Sequence, residues 1–93
     1  MRLKDSEQAA IISTVNSLDI HARVYLFGSR VDDSKKGGDI DLLVMSDTLT
    51  RDDTRTIKMK LYELLGEQKI DILLAANDSD PFVRLARETG VKL

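Results

Sequence analysis

Asp39 and Asp41 flank Ile40 in the run DIDLLV, residues 39–44. Side chains of an extended strand alternate between faces, so these two carboxylates emerge on one side while Ile40, Leu42 and Val44 emerge on the other. Strands are poor in aspartate. Two carboxylates about 4 Å apart repel each other by about 4 kcal/mol at an effective dielectric of about 20, which raises one pKa or calls for a cation between them. Oxygen donors with no histidine or cysteine beside them suit Mg²⁺ or Mn²⁺ rather than zinc. The run KIDILL, residues 69–74, offers a third acid: Asp71 lies between Ile70 and Ile72 and faces away from the side those two bury. Three acids sharing one face of neighbouring strands are what two-metal phosphoryl or nucleotidyl transfer requires, with one ion activating a hydroxyl and the other holding a triphosphate.

Gly28-Ser29 closes the apolar run ARVYLF, where a short helix can begin. Glycine lets the backbone approach a phosphate without a side-chain clash, and helix-opening N–H groups together with the Ser29 hydroxyl can bind its oxygens. Arg30 adjoins that turn and is a third candidate contact. Lys35 and Lys36, before Gly37-Gly38, either reach triphosphate oxygens as mobile cations or simply solvate the loop. Each feature alone has a plainer explanation: Gly-Ser as a turn, Asp-x-Asp as an exposed edge, Asp71 as a solvent-facing strand residue. Their order and their placement on the appropriate elements carry the chemical reading. His21 has no second histidine anywhere in the chain, and Tyr25, Tyr62, Met45 and Met59 read as packing residues.

The positioning elements follow from periodicity and punctuation. Ala9, Ile12, Val15 and Leu18 at helical spacing predict a helix over 6–18, with Asp5 as its N-cap and Gln8 three residues on. Strands are predicted over 22–27, 40–45 and 69–75. Between the last two, Thr50 and Asp53 form a capping pattern for a helix whose apolar face is Ile57, Leu61, Leu64 and Leu65 and whose end is Gly66. Arg51, Arg55, Lys58 and Lys60 fall on its solvated side. Asp80 as N-cap, Pro81 at the first helical position, the apolar Phe82, Val83, Leu85 and Ala86, and Gly90 as terminator predict a last helix. The order is that of an α/β domain, a small sheet flanked by helices.

Composition sets the limits of function. Ninety-three residues make one domain, 1–93, too small to add a separate substrate-recognition domain. A large substrate must therefore be brought by a partner. The 42% hydrophobic and 32% charged residues, with a net charge of -2, describe a globular chain with a slightly acidic surface. The clustered basic excess that grips nucleic acid is absent, so no direct nucleic-acid contact is expected. With no cysteine there is neither a disulfide framework nor a thiolate site. The charged N-terminal stretch lacks a signal-peptide core, and no apolar run reaches the roughly 18 residues of a membrane span. A cytoplasmic location is expected.

Gly28-Ser29, a gap, and Asp39-Ile40-Asp41-Leu42-Leu43-Val44 resemble the signature of the nucleotidyltransferase superfamily that includes DNA polymerase beta. More narrowly, the length, the KIDILL strand and the ending DPFVRLARETGVKL resemble the minimal nucleotidyltransferases of prokaryotes. The resemblance implies the nucleotidyltransferase fold, metal-binding roles for Asp39 and Asp41, a third catalytic carboxylate in Asp71, and nucleotide phosphates held at Gly28 and Ser29. It also implies ATP as substrate and a helical HEPN-type protein toxin as partner, with the enzyme as antitoxin transferring AMP to a toxin hydroxyl. Where many members continue with a small residue and a second Arg-Gly, this chain has Val31-Asp32-Asp33. Two other readings stand beside this one: a binding module that neutralises its partner by covering it, and an enzyme modifying a small molecule, whose acceptor site self-assembly would have to build.

Overall fold

A computed structural model describes residues 1–66 and 68–93. The chain runs α1 (Asp5–Leu18), β1 (Arg23–Phe27), a 3-10 turn (Gly28–Val31), β2 (Ile40–Met45), α2 (Arg51–Leu65), β3 (Ile70–Ala75), α3 (Pro81–Thr89) and β4 (Val91–Lys92). The sheet is mixed, in the order β3-β2-β1-β4. β1 runs antiparallel to β2 and to β4, while β2 and β3 are parallel. A parallel pair needs a crossover between its strands, and α2 supplies it. Among the described residues, no helix is long and apolar enough to cross a membrane.

The strand alternation in β2 sorts the molecule into layers. Ile40, Leu42 and Val44 are fully buried on one face with Val24, Leu26 and Ile70, against Ile11 and Val15 of α1 and Ile57 and Leu61 of α2. Each such side chain contributes about 1.5–3 kcal/mol by leaving water. Leu43 and Met45 emerge on the other face and pack with Tyr25 beneath Val83 and Ala86 of α3. One face of the sheet thus carries two helices, and the second carries the shorter α3.

Helix ends and faces depart from expectation in places. α1 begins at Asp5, one residue early. The backbone N–H of Lys4 donates to Glu7 Oε1 at 2.9 Å, so Lys4 is the N-cap and Asp5 lies inside the first turn. The buried stripe of α1 is Ile11, Thr14 and Val15, and Leu18 is exposed. The helix is rotated relative to the expected stripe because the crevice between sheet and α2 takes Ile11. Leu64 of α2 is 52% exposed, leaving Ile57 and Leu61 as that helix's buried contribution. Tyr62 is likewise exposed, whereas Tyr25 is buried. β4 lies beyond any expected element: two residues after Gly90 pair with Tyr25 and Leu26.

The cap of α2 follows the expected pattern. Asp53 Oδ2 accepts from the Thr50 N–H at 2.8 Å and from its hydroxyl at 3.1 Å, and Thr50 Oγ1 accepts from the Asp53 N–H at 3.4 Å. Thr50→Ala is expected to destabilise the protein by about 1 kcal/mol, lowering Tm by about 4–8 °C for a domain of this size. Thermal unfolding followed by circular dichroism checks this; an unchanged Tm would show the cap to be superfluous.

Candidate active site

The sheet brings the expected residues to one place. Asp41 is paired in register with Asp71 across the parallel β2–β3 contact and with Phe27 across the antiparallel β1–β2 contact. Residues directly paired on adjacent strands share a face at the strand spacing of about 4.8 Å. Phe27, Asp41 and Asp71 therefore form one row on the α3 side of the sheet. Asp39 precedes β2 and follows the same alternation. Its Oδ2 accepts the Lys69 ammonium at 3.4 Å. Lys69 stands to Asp71 as Asp39 stands to Asp41, so the two ends of parallel strands place three acids and one cation together.

The electrostatics reflect that crowding. The Asp41 carboxyl is pushed above its ordinary value by partial burial first and then by the charges of Asp71 and Asp39, with Lys69 opposing. Lys69 is held above its usual range chiefly by Asp39, through charge and a hydrogen bond, and further by Asp71 and Asp41. Among the described residues no three His, Cys, Asp or Glu side chains stand as a ready metal cage. The donor set nevertheless fits a hard divalent cation, because Asp41 and Asp71 are oxygen donors paired in register on one face and the lysine that engages Asp39 is solvent-exposed.

Gly28 is built against this row. Its φ is +76°, and a Cβ there would collide with Asp41 Oδ2 and lie 3.3 Å from Cγ. The backbone at the start of the 3-10 turn thus lies flush against the Asp41 carboxylate. Ser29 is packed the same way: a Cβ on Gly38 would collide with Ser29 Oγ.

Arg30 sits behind the turn. Its Nε donates to the Gly38 carbonyl at 3.2 Å, Nη1 to the Arg2 carbonyl at 3.0 Å and Nη2 to Gln68 Oε1 at 3.1 Å. These bonds make it a brace of the loop. Lys35 and Lys36 are exposed.

Three residues were without signal in the linear pattern. Arg2 donates to the carbonyls of Asp32 at 3.0 Å, Gly37 at 2.7 Å and Ser29 at 2.9 Å, clamping the turn to the loop that returns to Asp39. Gln68 receives Arg30 and donates to Glu7 Oε2 at 2.9 Å, joining α1 to the entrance of β3. Lys69 is the third, and only the parallel register reveals that its side chain meets Asp39.

Phe82, at the start of α3, meets Phe27 edge to face with ring centroids 6.2 Å apart and remains 57% exposed. The wall beside the acids is therefore aromatic and open to solvent. Compared with known protein families, residues 9–93 match the one described as Polymerase beta, Nucleotidyltransferase. No curated protein matches the chain. Three acids at adjacent strand starts, a glycine turn flush against one of them, and a family match over nearly the whole length agree, and the chain belongs to the polymerase beta nucleotidyltransferase family.

Proposed function

We propose that this nucleotidyltransferase moves AMP from ATP to a hydroxyl on a helical HEPN-type toxin and so acts as its antitoxin. The observation that carries the proposal is the register of Asp41 with Asp71, with Gly28 packed against the Asp41 carboxylate. Asp39, Asp41 and Asp71 would hold Mg²⁺ or Mn²⁺, which supplies the charge that acidifies the acceptor hydroxyl and offsets the triphosphate.

The chain's own groups do the rest. Gly28 leaves room for the phosphates, and the first N–H groups of the turn, free of intrahelical acceptors, bind their oxygens beside the Ser29 hydroxyl. Arg30 and Arg2 keep that turn in place through carbonyl contacts. Asp71, exposed at the edge of the sheet, takes the proton of the incoming hydroxyl. The acceptor oxygen bonds to the α-phosphorus, the bond from that phosphorus to the bridging oxygen breaks, and pyrophosphate leaves.

A macromolecular acceptor is favoured because Phe82 and Leu85 leave an exposed apolar strip on α3. The same strip favours the second reading, a module that inhibits by covering its partner. Incubation of the two proteins with ATP labelled at the α-phosphate and Mg²⁺ separates them. Label is expected on the partner, is lost with EDTA, and parallels neutralisation. Neutralisation without label on the partner would leave only the binding module.

A further inference from the structure

Lys69 is fixed at its backbone and loose at its tip. Its carbonyl accepts the Ile40 N–H at 3.0 Å, which locks the entrance of β3 to the entrance of β2. Gln68, just before it, is held by Glu7, Arg30 and the Leu65 carbonyl. The side chain itself is 68% exposed, and its ammonium lies 3.4 Å from Asp39 Oδ2. A surface ion pair of this kind is weak, so it gives little stability and yields readily. It sits on one of the three carboxylates that the proposed reaction assigns to a divalent cation.

We propose that Lys69 is an internal counter-cation, occupying the Asp39 end of the acidic row in the nucleotide-free protein and competing there with the divalent ion. The inference rests on the metal-dependent reading above and adds a residue to it. The geometry gives the reason. Asp39, Asp41 and Asp71 carry three negative charges on one face of neighbouring strands, and like charges so close repel unless a cation stands among them. Lysine is suited to the task because its ammonium is a compact point charge on a flexible stem. It can leave Asp39 without disturbing the backbone that positions the acids. A divalent cation reaching Asp39 must displace the ammonium and then bear its repulsion from nearby, so without nucleotide metal binding is tuned to be weak. Triphosphate oxygens, once present, give the displaced ammonium a new partner.

Titration of the full chain with Mn²⁺ in the absence of nucleotide, reading free Mn²⁺ by electron paramagnetic resonance, tests this without reference to activity. Lys69→Met is expected to bind Mn²⁺ roughly tenfold more tightly than the parent, from loss of a competing and repelling charge a few ångströms away. Lys69→Arg keeps the charge and is expected to stay within about twofold of the parent. In an Asp39→Asn background the gain from Lys69→Met shrinks to less than about threefold, because the pair is already broken. Lys69→Gln serves as a second neutral variant, with circular dichroism confirming the fold. Equal or weaker binding by both neutral variants would overturn the role of Lys69 and leave the metal reading intact. Absence of Mn²⁺ binding in every variant, the parent included, would overturn both.

Discussion

Asp41→Asn is expected to lose nucleotidyl transfer by at least about a thousandfold and, at neutral pH, to melt a few degrees above the parent. The loss follows from position. Asp41 is in register with Asp71 and in contact with the turn assigned to the phosphates. Removal of a mere outer partner of a metal ligand already weakens such sites by about 10–100-fold. The gain in stability follows from crowding: an amide of the same shape keeps the packing on Gly28 and removes a charge repelled by Asp71 and Asp39.

The pH dependence separates this from an ordinary surface substitution. Burial, then Asp71 and Asp39, hold the folded-state carboxyl of Asp41 above the ordinary 3.8. Over the interval between those two values the folded protein keeps a proton that the unfolded chain has already released. Stability therefore falls as pH rises through that interval, and the full penalty is present at neutral pH. In Asp41→Asn this contribution vanishes, so the Tm difference between variant and parent should grow from pH 4 to pH 7. Melting curves across that range check it. A variant that melts below the parent at pH 7 would show that the charge stabilises the fold, against the proposed strain.

Much of this arrangement is legible in the sequence because it depends on local rules. Alternation in IDLLVM tells which side of β2 meets the helices, and the Thr50–Asp53 pair and the Asp80-Pro81 pair mark helix starts that the structure places where they are expected. Other features depend on partners distant in the chain. α1 shows two overlapping apolar stripes, and only the crevice it enters selects Ile11 and Val15 over Ile12 and Leu18. β4 is two residues long and exists because β1 offers it a free edge, a signal that no window of sequence contains. Arg30 adjoins the Gly28-Ser29 turn in sequence, but its bonds to the carbonyls of Arg2 and Gly38 join segments that no local pattern brings together. Lys69 and Asp39 are thirty positions apart, and their meeting follows from β2–β3 parallel pairing alone.

Gly28→Ala is expected to abolish most activity although it removes no functional atom. The backbone there has φ +76°, a conformation that disfavours any Cβ by about 1–2 kcal/mol. The new methyl would also strike Asp41 Oδ2, and that carboxylate has little room to yield, with Asp71 beside it. Gly37 provides the control, since its φ is +64° and nothing lies within 4 Å of its Cβ position. Gly37→Ala should therefore show the conformational penalty alone, about 1 kcal/mol in denaturant unfolding, with activity largely kept. Gly28→Ala should be distinctly less stable and lose transfer by about a hundredfold or more, since displacing a reacting group by about 1 Å has that effect. A double-mutant cycle locates the cause. Truncating Asp41 to alanine removes the colliding carboxylate, so the stability penalty of Gly28→Ala should shrink toward that of Gly37→Ala in the Asp41→Ala background. Additive penalties would mean that the turn and the carboxylate do not touch, and the phosphate site could not then be assigned to this corner of the sheet.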